Sequence, residues 1–167
     1  MLTPFTMIKI LTTGGTIDKV YFDAKSEYAV GDPMIGEVLR EANVVAPFEI
    51  HMLMRKDSLE LNDEDRKIIH DTILQDTATR FMITHGTDTM VQTAKALQNI
   101  PDKTIVLVGS LSPARFRNTD AVFNIGFACA AAQALPAGVY IAMNGRIFHP
   151  DHVVKNREAN RFEPLMV

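Results

Sequence analysis

RFMITHGTDTMVQTAKAL, residues 80–97, contains in one run the unit that decides the fold. RFMIT is a short apolar stretch that reads as a strand, and HGTDT, with its glycine and hydroxyls, interrupts it. Met90, Val91, Ala94 and Leu97 then recur on one helical face. The same strand, loop and helix recur on either side. Upstream, residues 7–13 form an apolar run ended by Gly14 and Gly15, and PFEIHMLMR alternates at Phe48, Ile50, Met52 and Met54 as a strand does. Between these two, Asp32 and Pro33 read as the cap and first turn of a helix bearing Met34, Ile35, Val38, Leu39 and Ala42. Asn62 and Asp65 have capping spacing, and Ile68, Ile69, Thr72 and Ile73 give a second helix its buried stripe. Downstream, TIVLVG is almost continuously apolar, as a strand buried on both faces must be, and a helix over 119–135 and a strand GVYIAM follow.

Strands alternating with helices require crossover connections, and these predict an α/β fold: a doubly wound, mostly parallel sheet with helices on both faces. Residues 17–28 fit no helix and read as a hairpin-like flap, while the tail EANRFEPLMV shows no obvious element. At 167 residues and 47% hydrophobic composition, one domain over 1–167 with its own core is expected. Seventeen basic against twenty acidic side chains, mixed along the chain, give a net charge of −3 and no footprint for nucleic acid or an anionic membrane. The first residues lack the basic region and cleavage site of a leader, and the apolar stretch 121–143 is broken by Asn124, Gln133 and Pro136. A cytoplasmic location is therefore expected. The lone Cys129, set among alanines, reads as a buried apolar side chain.

In a sheet of this class ligands collect beyond the carboxyl ends of strands, where strand order reverses. TGGT at 13–16 and HGTDT at 85–89 both start there, so Thr16, Thr87 and Asp88 can face one crevice. A hydroxyl becomes a useful nucleophile only when a neighbouring base relieves it of its proton. Glycines let backbone amides approach a substrate carbonyl, so hydroxyls, free amides and a carboxylate together suit acyl transfer to water. A phosphate loop is the rival explanation, but TGGTID is neither G-x-G-x-x-G nor G-x-x-x-x-G-K-[ST], and no helix follows it at once. Read singly, GGT is a turn, and Thr87 and Asp88 are cap residues. His85 reads as a structural ring holding its loop, and His149 with His152 has no third ligand for a metal.

TGGTI near the N-terminus, HGTDT, and the lysine of DHVVK together resemble the bacterial-type L-asparaginases and their glutaminase and amidotransferase-subunit relatives. SEYAVGD resembles that family's flap around its tyrosine, DSLELNDED its substrate-carboxylate loop, and VLVGSLSP the strand and loop after the second threonine motif. The resemblance implies hydrolysis of L-asparagine to L-aspartate and ammonia, with no cofactor and no metal. Thr16 is implied as first nucleophile, and Thr87, Asp88 and Lys155 as a second cluster in which Lys155 takes a proton from Thr87 or the cluster activates water. Ser58 matches the contact to the substrate α-carboxylate and Asp88 that to the α-ammonium, with Gly15, Gly86 and Ser110 alongside. Tyr28 aligns with the flap tyrosine that supports the nucleophile, and Tyr21 is its alternative.

Two departures from the family pattern stand out. Where members carry a carboxamide after the serine, this sequence has Leu59, which cannot accept a hydrogen bond from an ammonium. Losing such a charge-assisted contact costs on the order of 1.5 to 3 kcal/mol, and loose substrate binding with little use for glutamine is expected. Members also carry a C-terminal domain that lends an acidic residue to a neighbour's site. This sequence stops soon after Lys155, so the expectation is that the contact is lacking or comes from Glu158 or Glu163 of another subunit. The apolar surface left over predicts a homodimer or homotetramer. The competing expectation is a non-catalytic amino-acid-binding or amidotransferase-associated module that works only with a partner chain.

Overall fold

The computed structural model describes residues 6–166. Of the N-terminal segment read for a leader, residues 1–5 lie outside them. In chain order the elements are β1 (Ile8–Gly14), β2 (Lys19–Phe22), β3 (Glu27–Val30), α1 (Ile35–Glu41), β4 (Phe48–Lys56), α2 (Asp63–Gln75), β5 (Arg80–Thr84) and α3 (Met90–Ala96). There follow β6 (Thr104–Val108), α4 (Ala121–Ala134), β7 (Gly138–Met143), β8 (Arg146–Phe148), β9 (Val153–Asn156) and β10 (Arg161–Pro164). The main sheet is ordered β4-β1-β5-β6-β7-β8. Its first five strands pair in parallel, and β8 closes one edge antiparallel to β7.

The continuous apolar runs are explained by burial on both faces, because alternate side chains of one strand serve opposite layers. Ile10, Met82, Val106 and Ala142 pack with α1 and α4, whereas Leu11, Ile83, Leu107 and Ile141 pack with α2 and α3. The doubly wound α/β reading therefore holds. Strand order reverses between β1 and β5, the two strands whose exits carry the threonine motifs, so the ligand-collecting crevice of such sheets opens between those loops.

Several local expectations are corrected. Asp32 does not cap α1; the amide of Met34 is instead accepted by Asp18 Oδ1 at 2.9 Å, from far upstream in sequence. Ile68 is exposed, and the buried stripe of α2 runs through Asp65, Ile69 and Ile73, at helical spacing of four. The capping box of α2 forms as expected, with Asn62 Oδ1 accepting from Asp65 N and Asp65 Oδ2 accepting from Asn62 N. On β4 the alternation fails after Ile50: Met52 is exposed, and beyond it, where the pairing with β1 shifts register, Leu53 and Met54 turn to the α2/α3 layer. The tail is not without structure. β9 and β10 form an antiparallel hairpin in which Phe162 is buried opposite Lys155.

Candidate functional site

β1 ends in Gly14 and Gly15 follows it, with φ of 101° and 93°, backbone open to glycine and strained for other residues. Closeness matters as much as torsion at Gly15. A Cβ there would sit 2.4 Å from the amide nitrogen of Gly86, so the residue before Thr16 rests directly on the residue before Thr87. A Cβ on Gly86 would in turn lie 2.7 Å from Ser58 Oγ, which brings the third loop to the same point. Thr13 Oγ1 donates to the Thr84 carbonyl at 2.8 Å and ties the exits of β1 and β5 together. Three segments thus meet here, Gly15 backbone on Gly86 backbone and the Ser58 side chain on Gly86.

Beyond Gly15 the chain makes a single 3-10 turn over Thr16–Asp18, closed by Asp18 N donating to Gly15 O and Lys19 N to Thr16 O. Thr16 is half-buried on this turn. Thr87 is buried, and Lys155 reaches it from β9: Lys155 Nζ donates to Thr87 Oγ1 at 2.8 Å and to Asp88 Oδ1 at 2.7 Å. The Lys155 side chain is only 13% exposed, so this ion pair and hydrogen bond are largely shielded from water. Arg157, more exposed, stands 3.8 Å from the same Asp88 oxygen.

His85 fixes the loop, as its position before the glycine suggests. Its Nδ1 lies 2.7 Å from the Gly86 carbonyl, which can only accept, so Nδ1 carries the proton. Nε2 then accepts from the Thr93 hydroxyl at 2.8 Å, and Thr93 Oγ1 itself accepts from Arg66 Nε at 3.2 Å. Complete burial lowers the imidazole pKa to about 4, which keeps the ring neutral.

Asp88, Leu59 and Tyr28 line one cleft of about 760 Å³, together with Lys19, Asp57 and Glu60. Tyr28 sits on the β2/β3 hairpin directly opposite Tyr21, with ring centroids 5.2 Å apart, so the two candidate tyrosines form one cross-strand pair of which Tyr28 lines the cleft. Ser58 is buried, and its carbonyl accepts from Thr89 Oγ1 at 2.7 Å. Ser110 is buried in the β6–α4 loop, where its hydroxyl donates to the Ser112 carbonyl, and the preceding Gly109 packs against His85 and Thr87. Glu163 is engaged by Arg161 on its own strand and by Asn156 across the hairpin.

Sequence reading missed the frame of the cleft. Asp57 caps the turn Ser58–Glu60 in a capping box, and Lys19 on β2 reaches Asp57 Oδ2 at 2.8 Å. Burial works to raise the Asp57 pKa, but the Lys19 hydrogen bond and neighbouring amides outweigh it and hold the carboxyl below its usual range. The signal was present in DSLE, whose first and fourth residues have capping-box spacing.

The family model for the asparaginase N-terminal domain matches residues 7–163. The chain belongs to this family. A protein of Haemophilus influenzae named a probable periplasmic L-asparaginase is 33% identical over 159 residues, covering 89% of this chain and 46% of its own. The thermostable L-asparaginase of Thermococcus kodakarensis superposes with a TM-score of 0.82 at 28% identity, over 95% of this chain and 51% of that one. A structure described as a probable cytoplasmic L-asparaginase from Campylobacter jejuni gives a TM-score of 0.79 at 28% identity, over 95% of this chain and 51% of that one. The asparaginase-family chain thus spans about half the length of these relatives, whose names include both compartments. No helix among the described residues is long and apolar enough to cross a membrane.

Proposed function

We propose that this asparaginase-family chain hydrolyses the side-chain amide of L-asparagine in the crevice between the two threonine loops. Thr16 Oγ1 attacks the amide carbon, its hydroxyl proton passes to the amide nitrogen, the carbon–nitrogen bond breaks, and the nitrogen leaves as ammonia. Water then cleaves the resulting ester, releasing L-aspartate and restoring the hydroxyl. Lys155 Nζ donates to Thr87 Oγ1 and so orients that hydroxyl, and Asp88 holds the lysine by its ion pair while offering a carboxylate to the substrate ammonium. Ser58, on the loop against Gly86, serves the α-carboxylate, and Tyr28 supports the nucleophile from the flap. The observation that carries this reading is the Lys155–Thr87–Asp88 cluster, with bonds of 2.8 and 2.7 Å, built on a loop whose glycine touches the glycine preceding Thr16.

A side-by-side assay of ammonia release from asparagine and glutamine tests it. Asparagine turnover is expected, with glutamine much slower because its extra methylene displaces the amide. Binding of aspartate or asparagine without turnover sinks the hydrolase reading in favour of a binding module.

Self-association belongs to the same proposal. α4 carries no charged residue, and its outward side exposes Val122, Phe123, Gly126 and Ala130. A homodimer or homotetramer buries that face. A cytoplasmic location is proposed too, favoured by the name of the Campylobacter neighbour but not by that of the Haemophilus relative.

A further inference from the structure

The hairpin that carries Tyr28 leaves the nucleophile turn at Asp18 and returns to the body at Gly31, and both ends are fastened to one residue. Asp18 O accepts the Gly31 amide at 2.8 Å, which closes the hairpin's base, and Asp18 Oδ1 accepts the Met34 amide at 2.9 Å, which fastens its exit. Arg115, from the β6–α4 loop, braces the same two strands: Nη1 donates to Asp18 O and Nη2 to Asp32 O, each at 3.2 Å. Beside it the Ala114 amide bonds Ile17 O at 2.9 Å, and the Phe116 ring lies 6.3 Å from that of Tyr28.

We propose that Asp18 is a positioning residue: through the Met34 amide, and with Arg115 as a brace, it holds the Tyr28 hairpin at a fixed angle to the Thr16 turn. The consequence for chemistry rests on the reading that Thr16 is the nucleophile and Tyr28 its support. An ordinary helix cap is local in sequence, whereas this carboxylate is 1% exposed and spans the whole flap. Its second oxygen, Oδ2, is buried with no hydrogen-bond partner, so a single acceptor oxygen performs the fastening and the charge is not matched by a donor of its own. That separation makes the role testable, since asparagine keeps an acceptor oxygen and discards the charge.

The direct probe is limited trypsin digestion of the full chain. The hairpin turn carries the exposed Lys25, and because cleavage after it requires the flanking β2 and β3 to open locally, its rate reports how often the flap leaves its seat. Asp18→Ala is expected to speed that cleavage about threefold to tenfold, the scale of one lost hydrogen bond, with Asp18→Asn no faster than the starting protein. Arg115→Gln, at an exposed position that leaves no cavity, should also speed cleavage, which keeps the proposal testable where Asp18→Ala fails to fold. With asparagine as substrate, kcat should fall about tenfold or more in Asp18→Ala while KM stays within about twofold, since Ser58 and Asp88 stand on other loops, and Asp18→Asn should restore kcat. Unchanged cleavage in both Asp18→Ala and Arg115→Gln, or Asp18→Asn behaving as Asp18→Ala does, overturns the proposal. Should the starting protein release no ammonia, the functional reading fails while the digestion still decides whether Asp18 fastens the flap.

Discussion

At the scale of single residues, two buried titratable groups set opposing pH responses. Burial raises the Asp18 pKa from 3.8 to about 6, against a lowering by the Met34 amide and the charges of Arg115 and Arg55. Its contribution to stability is therefore fully present below pH 3.8 and is lost as pH rises through about 6. His85 runs the other way: with its pKa lowered from 6.5 to about 4, the stability it carries above pH 6.5 is lost as pH falls toward 4. Asp18→Asn should accordingly be more stable than the starting protein at pH 8, by at most about 3 kcal/mol, and should show no advantage below pH 3.8. Urea titrations at both pH values check this, and an advantage independent of pH contradicts it. Leu59 makes a second single-residue prediction. It is 66% exposed on the cleft that Asp88 lines, so Leu59→Gln should lower KM for asparagine about tenfold at unchanged kcat. An unchanged KM means that position 59 does not meet the substrate ammonium.

Among elements, the hairpin of β9 and β10 decides whether Lys155 reaches Thr87. It is held to the body by Phe162, 3% exposed within the α2/α3 layer, and by the Phe162 amide donating to Asn144 Oδ1 at 2.8 Å. Phe162→Ala should cost about 3 to 5 kcal/mol in urea unfolding, and a loss below about 1 kcal/mol would show the hairpin seated by other means. This element was illegible in the sequence because each strand has four residues and buries one, so no alternation could build up. The α1 cap was misread for a related reason: Asp32 has the local spacing of a cap, but Asp18 reaches the same amide through tertiary structure. The capping box of α2 was legible because both partners lie within one turn. Chain-local chemistry can be read from order alone; contacts that cross the fold cannot.

For the molecule as a whole, topology carries the functional argument. TGGT and HGTDT were recognisable as unusual loops, and the runs around them as strands and helices, which together were enough to place both motifs at the carboxyl edge of a parallel sheet. Composition could not show that β1 and β5 are neighbours, that Gly15 rests on Gly86, or that Asp57 and Lys19 frame the cleft. The uncharged outer side of α4 leads to one prediction at this scale. Light scattering after size exclusion should give a dimer or tetramer, and Phe123→Asp should shift it toward monomer; a monomeric starting protein contradicts the assigned role of that face. The central claim is that Thr16 and the Thr87–Lys155 pair act on one substrate as a unit. Groups that act together lose rate non-additively, so ammonia release from asparagine by Thr16→Ala, Thr87→Ala and the double variant is the direct measurement. The account predicts that each single change removes nearly all activity and that the double variant is no slower than the slower single. Losses that multiply, or substantial activity in either single variant with the fold intact by circular dichroism, would contradict it.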